Sequence, residues 1–141
     1  MRLSTRSRYG TRALLELGLH YGEGLITLKD ISQSQQIPLR YLEQITTILV
    51  AGELVRSIRG AKGGVSLAKP PEEIKIIEVM RILEGPIGPV ECIGHPGGCT
   101  RSDSCAVRDI WSEMEKALSK VLETRTLRDL IERQRVKERT V

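Results

Sequence analysis

Apolar residues recur at helical spacing through the first third of the chain. One set falls on a single face of a predicted helix over residues 5–21: Tyr9, Ala13, Leu14, Leu17 and Tyr21. Two nearby glycines end that helix. Thr27, with Asp30 three residues later, has the pattern of a helix N-terminus and predicts a short second helix.

A third, longer helix is predicted to begin at Pro38, because the fixed φ angle of proline suits a first helical position. Leu39, Leu42, Ile45 and Leu49 then repeat at spacings of three and four residues, and a glycine follows where the pattern stops. A short helix, a tight turn and a longer helix together predict a helix-turn-helix unit.

Two strand-like runs follow, at residues 54–59 and 65–68. The glycines between them, Gly60, Gly63 and Gly64, permit the positive φ angles of a tight turn. A nucleotide-binding loop is the alternative, but no helix begins after these glycines and no Lys-Ser/Thr pair follows. The sequence therefore predicts a β-hairpin, or wing, beside the helix-turn-helix.

The second half of the chain returns to helical spacing. A connecting helix is predicted from four apolar residues: Ile74, Ile77, Met80 and Leu83. A longer helix is predicted from a second set: Val107, Trp111, Met114, Leu118 and Val121. That seam is typical of a two-helix coiled coil, so we expect this helix to dimerise rather than to pack only within its own chain.

These elements predict a mainly α protein with a small β-hairpin. Residues 1–69 are expected to form a winged helix-turn-helix DNA-binding domain. Residues 70–134 are expected to hold the connecting helix, a cysteine loop and the long dimerisation helix, and they end in a short helix over 126–133. Residues 135–141 are predicted to be a charged, disordered tail.

Charge is distributed unevenly between these parts. Residues 1–69 carry ten Lys/Arg against five Asp/Glu, whereas residues 70–141 carry twelve against thirteen. The first part is therefore the candidate nucleic-acid face, although an ordinary solvated basic domain explains the charge equally well. Aromatic residues make up only 3% of the chain and Phe is absent, so aliphatic side chains must build the core.

No apolar run is long enough to cross a bilayer, and the start of the chain has no apolar signal segment. We therefore expect a cytoplasmic protein with no membrane partner. In a reducing compartment, clustered cysteines are more often metal ligands or redox sensors than structural disulfides.

Three cysteines lie within fourteen positions: Cys92, Cys99 and Cys105. Glycine and proline between the first two predict a loop rather than a helix. Such a loop can wrap a metal centre, but it supplies one thiol too few for a closed four-coordinate site. A centre with one weak or borrowed ligand is easily lost, and that loss can act as a signal.

On the winged-helix hypothesis the start of the third helix enters the major groove of double-stranded DNA. Arg40 is the candidate for a bidentate contact to guanine, and Glu43 could accept from cytosine or repel phosphate. Tyr41 could reach DNA or pack in the core. Arg59 and Lys62 on the wing are expected to contact phosphate or the minor groove. The full set of candidate DNA-binding residues is Arg2, Thr27, Pro38, Leu39, Arg40, Tyr41, Glu43, Gln44, Arg56, Arg59, Gly60 and Lys62.

Several segments resemble the Rrf2 family of winged-helix regulators, and the resemblance runs in order over almost the whole chain. They are Met1-Arg2-Leu3-Ser4-Thr5, Tyr41-Leu42-Glu43-Gln44, Arg56-Ser57-Ile58-Arg59-Gly60-Ala61-Lys62-Gly63-Gly64, Leu83-Glu84-Gly85-Pro86, and the cysteine loop followed by Asp109-Ile110-Trp111. The resemblance implies a homodimer on a palindromic operator, with a long helix crossing between protomers. It also implies an iron–sulfur cluster held by Cys92, Cys99 and Cys105, as in IscR-like, NsrR-like and RirA-like sensors. For this chain we expect [2Fe–2S] rather than [4Fe–4S].

The chain departs from those sensor types at the fourth ligand. IscR-like members place a His three residues after the third cysteine, where this chain has Arg108, and a guanidinium stays protonated and cannot ligate. NsrR-like members use an Asp near the N-terminus, a region where this chain has Arg8. His95 is therefore the first candidate, with a solvent-exposed loop His as the bland alternative. The other candidates are Glu43, Glu91, Asp103, Asp109 and an exogenous small ligand.

The function expected from these features is a homodimeric, DNA-binding transcription regulator switched by a labile iron–sulfur cluster. The alternative is a regulator of the same fold controlled by a protein partner or thiol oxidation, with structural zinc or no metal. An enzyme has little support, because the chain has two His and no visible nucleophile–base or paired-carboxylate arrangement. An electron carrier would not need a basic helix-turn-helix.

Overall fold

The protein is mostly helical, with one two-stranded antiparallel sheet; the computed structural model describes residues 2–141. The elements run in the order α1 (Thr5–Leu19), α2 (Leu28–Gln35), α3 (Leu39–Ala51), β1 (Val55–Ile58), β2 (Gly64–Leu67), α4 (Ile76–Leu83), α5 (Glu91–Gly94), α6 (Ala106–Glu123) and α7 (Leu127–Arg139). Short 3₁₀ turns lie at Pro71–Glu73 and Pro96–Gly98. The predicted mainly α architecture with a small hairpin is confirmed.

Helix α1 lies at the centre of the fold and packs against α2, α3, α4, α7 and β2. Two glycines of α1 allow side chains of other helices to approach its backbone closely. A Cβ on Gly10 would lie 2.5 Å from Cδ1 of Leu83 on α4, and a Cβ on Gly18 would lie 2.5 Å from Cδ1 of Ile131 on α7. Leu83 and Ile131 are both fully buried. The missing side chains on α1 thus allow two later helices to reach the core.

The helix-turn-helix forms as the periodicity predicts. Thr27 caps α2, and its Oγ1 accepts a hydrogen bond from the Asp30 amide at 3.1 Å. Gln36 takes a left-handed conformation with φ of 53° and turns the chain into α3. Helix α3 begins at Leu39, with Pro38 as its N-cap rather than its first residue, and Gly52 caps its other end.

The wing is the predicted hairpin, with Val55 paired to Leu67 and Ile58 paired to Gly64. Gly63 is required in its turn because a Cβ there would collide with the Ile58 carbonyl oxygen. Ile26, just before α2, adds a bridge to the sheet that the sequence did not predict: its amide donates to the Val65 carbonyl at 2.9 Å and its carbonyl accepts in return at 2.8 Å. The wing is thereby held against the helix-turn-helix.

Helix α7 extends further than predicted. The prediction of a disordered tail over residues 135–141 is wrong, because α7 continues to Arg139. A capping box between Thr126 and Asp129 starts the helix, and Lys137 and Arg139 lie in its last turn, where positive charge favours the helix dipole. A backbone bridge between Lys75 and Thr126 also fixes its start beside α4.

Truncating the buried side chain of Ile131 should therefore weaken the packing of α7 on α1. Ile131→Ala should lower the free energy of unfolding by about 2–5 kcal/mol, because it leaves a cavity beside Gly18. Val136→Ala on the same helix should change it by less than about 0.5 kcal/mol, since Val136 is 56% exposed. Urea unfolding followed by circular dichroism measures both. Equal effects of the two substitutions would contradict the packing of α7.

Candidate DNA-binding face and cysteine segment

One side of α3 is free of the core. Leu42, Ile45 and Leu49 are buried and mark the side of α3 that faces the core. Arg40, Glu43 and Gln44 are exposed, as are the neighbouring Pro38 and Leu39 at the start of the helix. This arrangement leaves a charged and polar face of α3 exposed. An exposed helix face of this kind can enter the major groove of DNA.

Tyr41 is the exception among the predicted contact residues on α3. Its ring is half-buried and packs edge-to-face on Tyr9 of α1, with ring centroids 5.7 Å apart and an angle of 79° between planes. The Arg12 guanidinium lies over the other ring, 5.6 Å from the Tyr9 centroid. The aromatic pair thus fixes the start of α3 against α1, which is the core-packing role that the sequence left open.

The remaining DNA candidates lie on exposed surface. Arg56 is on β1, and Arg59, Gly60 and Lys62 are in the hairpin turn. Gly60 has φ of 111°, a conformation that favours glycine. Arg2 precedes α1 and is exposed, and Thr27 is engaged as the cap of α2.

A polar tie between α1 and the helix-turn-helix was missed by sequence reasoning. Arg12 donates to the side-chain oxygen of Gln35 at 3.3 Å and to its backbone carbonyl. The Gln35 amide in turn donates to a Glu16 carboxylate oxygen at 2.7 Å. Gln35 is the last residue of α2, so the tie holds the turn between α2 and α3. No spacing in the sequence signals it, because the partners are far apart in the chain.

The segment between α4 and α6, residues 85–105, is called the cysteine segment below. Cys92 lies in the one-turn helix α5, where the sequence predicted a loop, and Cys105 is the N-cap of α6. All three cysteines are free thiols; Cys99 is exposed, and Cys92 and Cys105 are partly buried. Arg108 on α6 donates from Nε to the Cys92 carbonyl at 3.2 Å, which ties α5 to the start of α6.

The donor atoms are not gathered into a coordination sphere. Within residues 2–141, no three His, Cys, Asp or Glu side chains lie close enough together to hold a metal ion. His95 is exposed on the cysteine segment. The donor set nevertheless fits a thiophilic centre chemically, since three uncrosslinked thiols lie on one short segment. A group that bound all three would have to draw the segment together.

Helix α6 has an apolar face that the described residues leave exposed. None of its residues is buried, and Val107 and Val121 are 58% and 59% exposed. Ile110 and Met114, which lie between them, are exposed as well. Across the part of the chain that the structure describes, no helix is long and apolar enough to cross a membrane.

Comparison with known proteins identifies the class and then the family. A family model described as "Rrf2: Iron-dependent Transcriptional regulator" matches residues 3–133. The chain is similar to Protein rrf2 of Nitratidesulfovibrio vulgaris, with 42% identity over 93% of this chain and 87% of that protein. It is also similar to the HTH-type transcriptional regulator CymR of Bacillus subtilis, with 39% identity over 92% and 89%. The HTH-type transcriptional regulator IscR of Serratia proteamaculans is 36% identical over 96% of this chain and 82% of its own length.

Solved structures of proteins with the same names as these relatives are also similar to this chain. The structure of CymR, the global cysteine regulator of B. subtilis, matches with a TM-score of 0.81 and 38% identity, covering 94% of this chain and 97% of that one. T. potens IscR matches with a TM-score of 0.78 and 32% identity, covering 95% and 88%. The protein is thus a DNA-binding transcription regulator of the winged-helix class, a class whose Rrf2 members are usually dimeric. The chain belongs to the Rrf2 family, as its sequence motifs predicted.

The exposure of the thiols predicts their order of reaction. In metal-free, reduced protein a thiol reagent should modify all three cysteines without denaturant, with Cys99 reacting fastest because it is the exposed one. Stopped-flow thiol titration of the native chain, compared with Cys99→Ser, measures this. The variant should lack the fastest phase, and a fast phase that survives the substitution would contradict the assignment.

Proposed function

We propose that this regulator binds a palindromic operator as a homodimer and that an iron–sulfur cluster held by Cys92, Cys99 and Cys105 switches that binding. The observation that carries the proposal is the position of three free thiols on one segment between α4 and α6. Helix α4 packs directly on α1 and α3 of the DNA-binding domain. The description of the matching family model as iron-dependent supports the same conclusion.

On DNA, the start of α3 enters the major groove. Arg40 makes a bidentate contact to guanine, and Glu43 and Gln44 read neighbouring positions from the same exposed face. The wing residues Arg56, Arg59, Gly60 and Lys62, and Arg2 before α1, contact the phosphate backbone and give affinity rather than sequence choice. Tyr41 acts chiefly through its ring contact with Tyr9.

Dimerisation uses the exposed apolar face of α6. A second copy of the same helix would cover side chains such as Val107, Met114 and Val121, which the chain itself leaves in solvent. A two-fold dimer places two α3 helices on two half-sites of one operator, so a palindromic DNA sequence matches the symmetry of the protein.

The three thiolates would hold the cluster, with His95 as the proposed fourth ligand. A bound cluster would supply a centre that oxidants, nitric oxide or loss of iron can destroy. Arg108 stands where IscR-like members have a ligand, and here it donates to the Cys92 carbonyl instead. The chain's own contribution is a glycine-rich segment that can close around the centre and whose two ends continue into α4 and α6.

A second candidate keeps the DNA binding and replaces the cluster by thiol chemistry. The exposure of Cys99 favours it, and so does the similarity to CymR, which is described as a global cysteine regulator. Oxidation of a reactive thiol would then alter the cysteine segment directly. Zinc in place of the cluster is the further form of this alternative.

Loading with iron and sulfide separates these candidates. Anaerobic protein treated with ferrous iron and sulfide should acquire visible absorption, together with iron and acid-labile sulfide in equal amounts. Cys92→Ala should lose most of both, because two thiolates hold a cluster poorly. Ser104→Ala, an exposed change on the same segment, should load like the unmodified chain. A colourless protein that binds only zinc would contradict the cluster.

Loss of a base contact and loss of a phosphate contact should change DNA binding in different ways. Arg40→Ala should reduce discrimination between the operator and a mutated operator by about 1–3 kcal/mol, because it removes the bidentate contact. Lys62→Ala should weaken binding to all sequences alike and reduce the slope of log K against log salt by about 0.9. Fluorescence anisotropy over a salt series measures both, with Arg133→Ala on α7 as the control for lost charge. Unchanged discrimination in Arg40→Ala would contradict the assignment of α3.

A further inference from the structure

The end of α4 is bonded to the start of α1 through a single carboxylate. One oxygen of Glu84 accepts from the Ser4 amide at 3.2 Å, from the Ser4 hydroxyl at 2.7 Å, and from the Ser7 hydroxyl. Glu84 is the C-cap of α4 and Ser4 is the N-cap of α1. These three residues are called the serine–glutamate clamp below. Glu84 is 80 positions from Ser4 and 77 from Ser7 in the chain.

The chemistry of the clamp makes it costly to separate. The hydrogen bonds from Ser7 and then Ser4 hold the pKa of the Glu84 carboxyl below its usual 4.5, so the group is ionised at neutral pH. Hydrogen bonds to an ionised acceptor are stronger than those between neutral groups. Ser7 is only 1% exposed, so moving Glu84 away would leave a buried hydroxyl without this partner.

Two further contacts reinforce the same joint. Leu83 fills the space that Gly10 leaves on α1, and the Leu83 carbonyl accepts from Nε of Arg6 at 2.8 Å. Helix α4 therefore meets the first turns of α1 through apolar packing, a backbone contact and the clamp. A displacement of the end of α4 would break these contacts unless the start of α1 moved with it.

The clamp links the cysteine segment to the DNA-binding domain through α1, beside the direct packing of α4 on α3. On one side, Gly85 has φ of 94° and turns the chain from α4 into the cysteine segment. On the other side, α1 reaches α3 through the Tyr9–Tyr41 pair and the end of α2 through Arg12 and Gln35. Each step in this path is a direct contact between named groups.

We infer that Glu84 is a positioning residue that transmits the state of the cysteine segment to the DNA-binding domain through the serine–glutamate clamp. The inference rests on the proposed switch. The cysteine segment can be open, or it can be drawn together around a bound group. These two states require different conformations of the chain at Gly85. Because the clamp joins that point to α1, the two states of the segment favour two placements of α1 and hence of α3.

The test is the ratio of operator affinities between two states of the same protein. Kd is measured anaerobically for metal-free, reduced protein and for protein loaded with ferrous iron and sulfide, in the unmodified chain, Glu84→Gln, Ser7→Ala and Glu73→Gln. Glu84→Gln keeps the shape and an oxygen acceptor but removes the charge. Ser7→Ala breaks the same clamp from the other side. Glu73→Gln makes the same chemical change at an exposed carboxylate away from the clamp.

The unmodified chain and Glu73→Gln should change affinity by at least about fivefold on loading, within the usual range for coupled sites. Glu84→Gln and Ser7→Ala should bind iron and sulfide as before but change affinity by no more than about twofold. A merely structural role would weaken both states equally and leave the ratio intact, so an unchanged ratio in both variants overturns the inference while the switch stands. A ratio near one in the unmodified chain would instead overturn the switch and the inference together.

A measurement on metal-free protein also tests whether Glu84 positions α1. In metal-free protein, Glu84→Gln should speed hydrogen exchange at the Ser7 and Arg8 amides, which bond to the Ser4 side chain and carbonyl at 3.1 Å. Glu73→Gln should leave both amides protected. If exchange in the first turn of α1 is the same in Glu84→Gln as in the unmodified chain, the carboxylate does not position α1. Ser7→Ala serves in the same way if Glu84→Gln does not fold.

Discussion

The close packing of α1 is the constraint on which the rest of the structure depends. Gly10 and Gly18 remove side chains at the two points where Leu83 and Ile131 enter the core. A larger residue at either point would push α4 or α7 outward. Because α1 also contacts α2, α3 and β2, one helix positions α3, the wing and the helix α4 that leads into the cysteine segment. Helix α1 therefore connects α3 with both α4 and α7.

The elements of the fold were predictable where they depend on local pattern. The α3 periodicity, the glycines of the wing and the resemblance to the Rrf2 family each led to the observed element. The exceptions arise from contacts between distant residues. The tail beyond residue 134 is helical because its start is bridged to Lys75 and its second turn is anchored by the buried Ile131. A charged sequence alone does not reveal those anchors.

The candidate site likewise has features that the sequence predicted and features that it did not. Exposure of Arg40, Glu43 and the wing arginines follows from the helical and strand periods, so the residues available to DNA could be read from the sequence. The burial of Tyr41 against Tyr9 and the clamp around Glu84 could not, because each joins residues whose spacing carries no pattern. The cysteines were identifiable by type, but their spacing did not show that residues 2–141 leave them apart rather than gathered in one site.

The proposed regulator has a winged-helix scaffold shared with CymR and IscR and carries three free thiols on one segment between α4 and α6. In the proposed switch, a group bound by those thiols sets the operator affinity reversibly. The most direct measurement follows operator binding of one anaerobic sample as it is loaded with iron and sulfide, stripped by a chelator and loaded again. We expect two affinities that alternate with cluster content, and one constant affinity through the whole cycle would contradict the proposed switch.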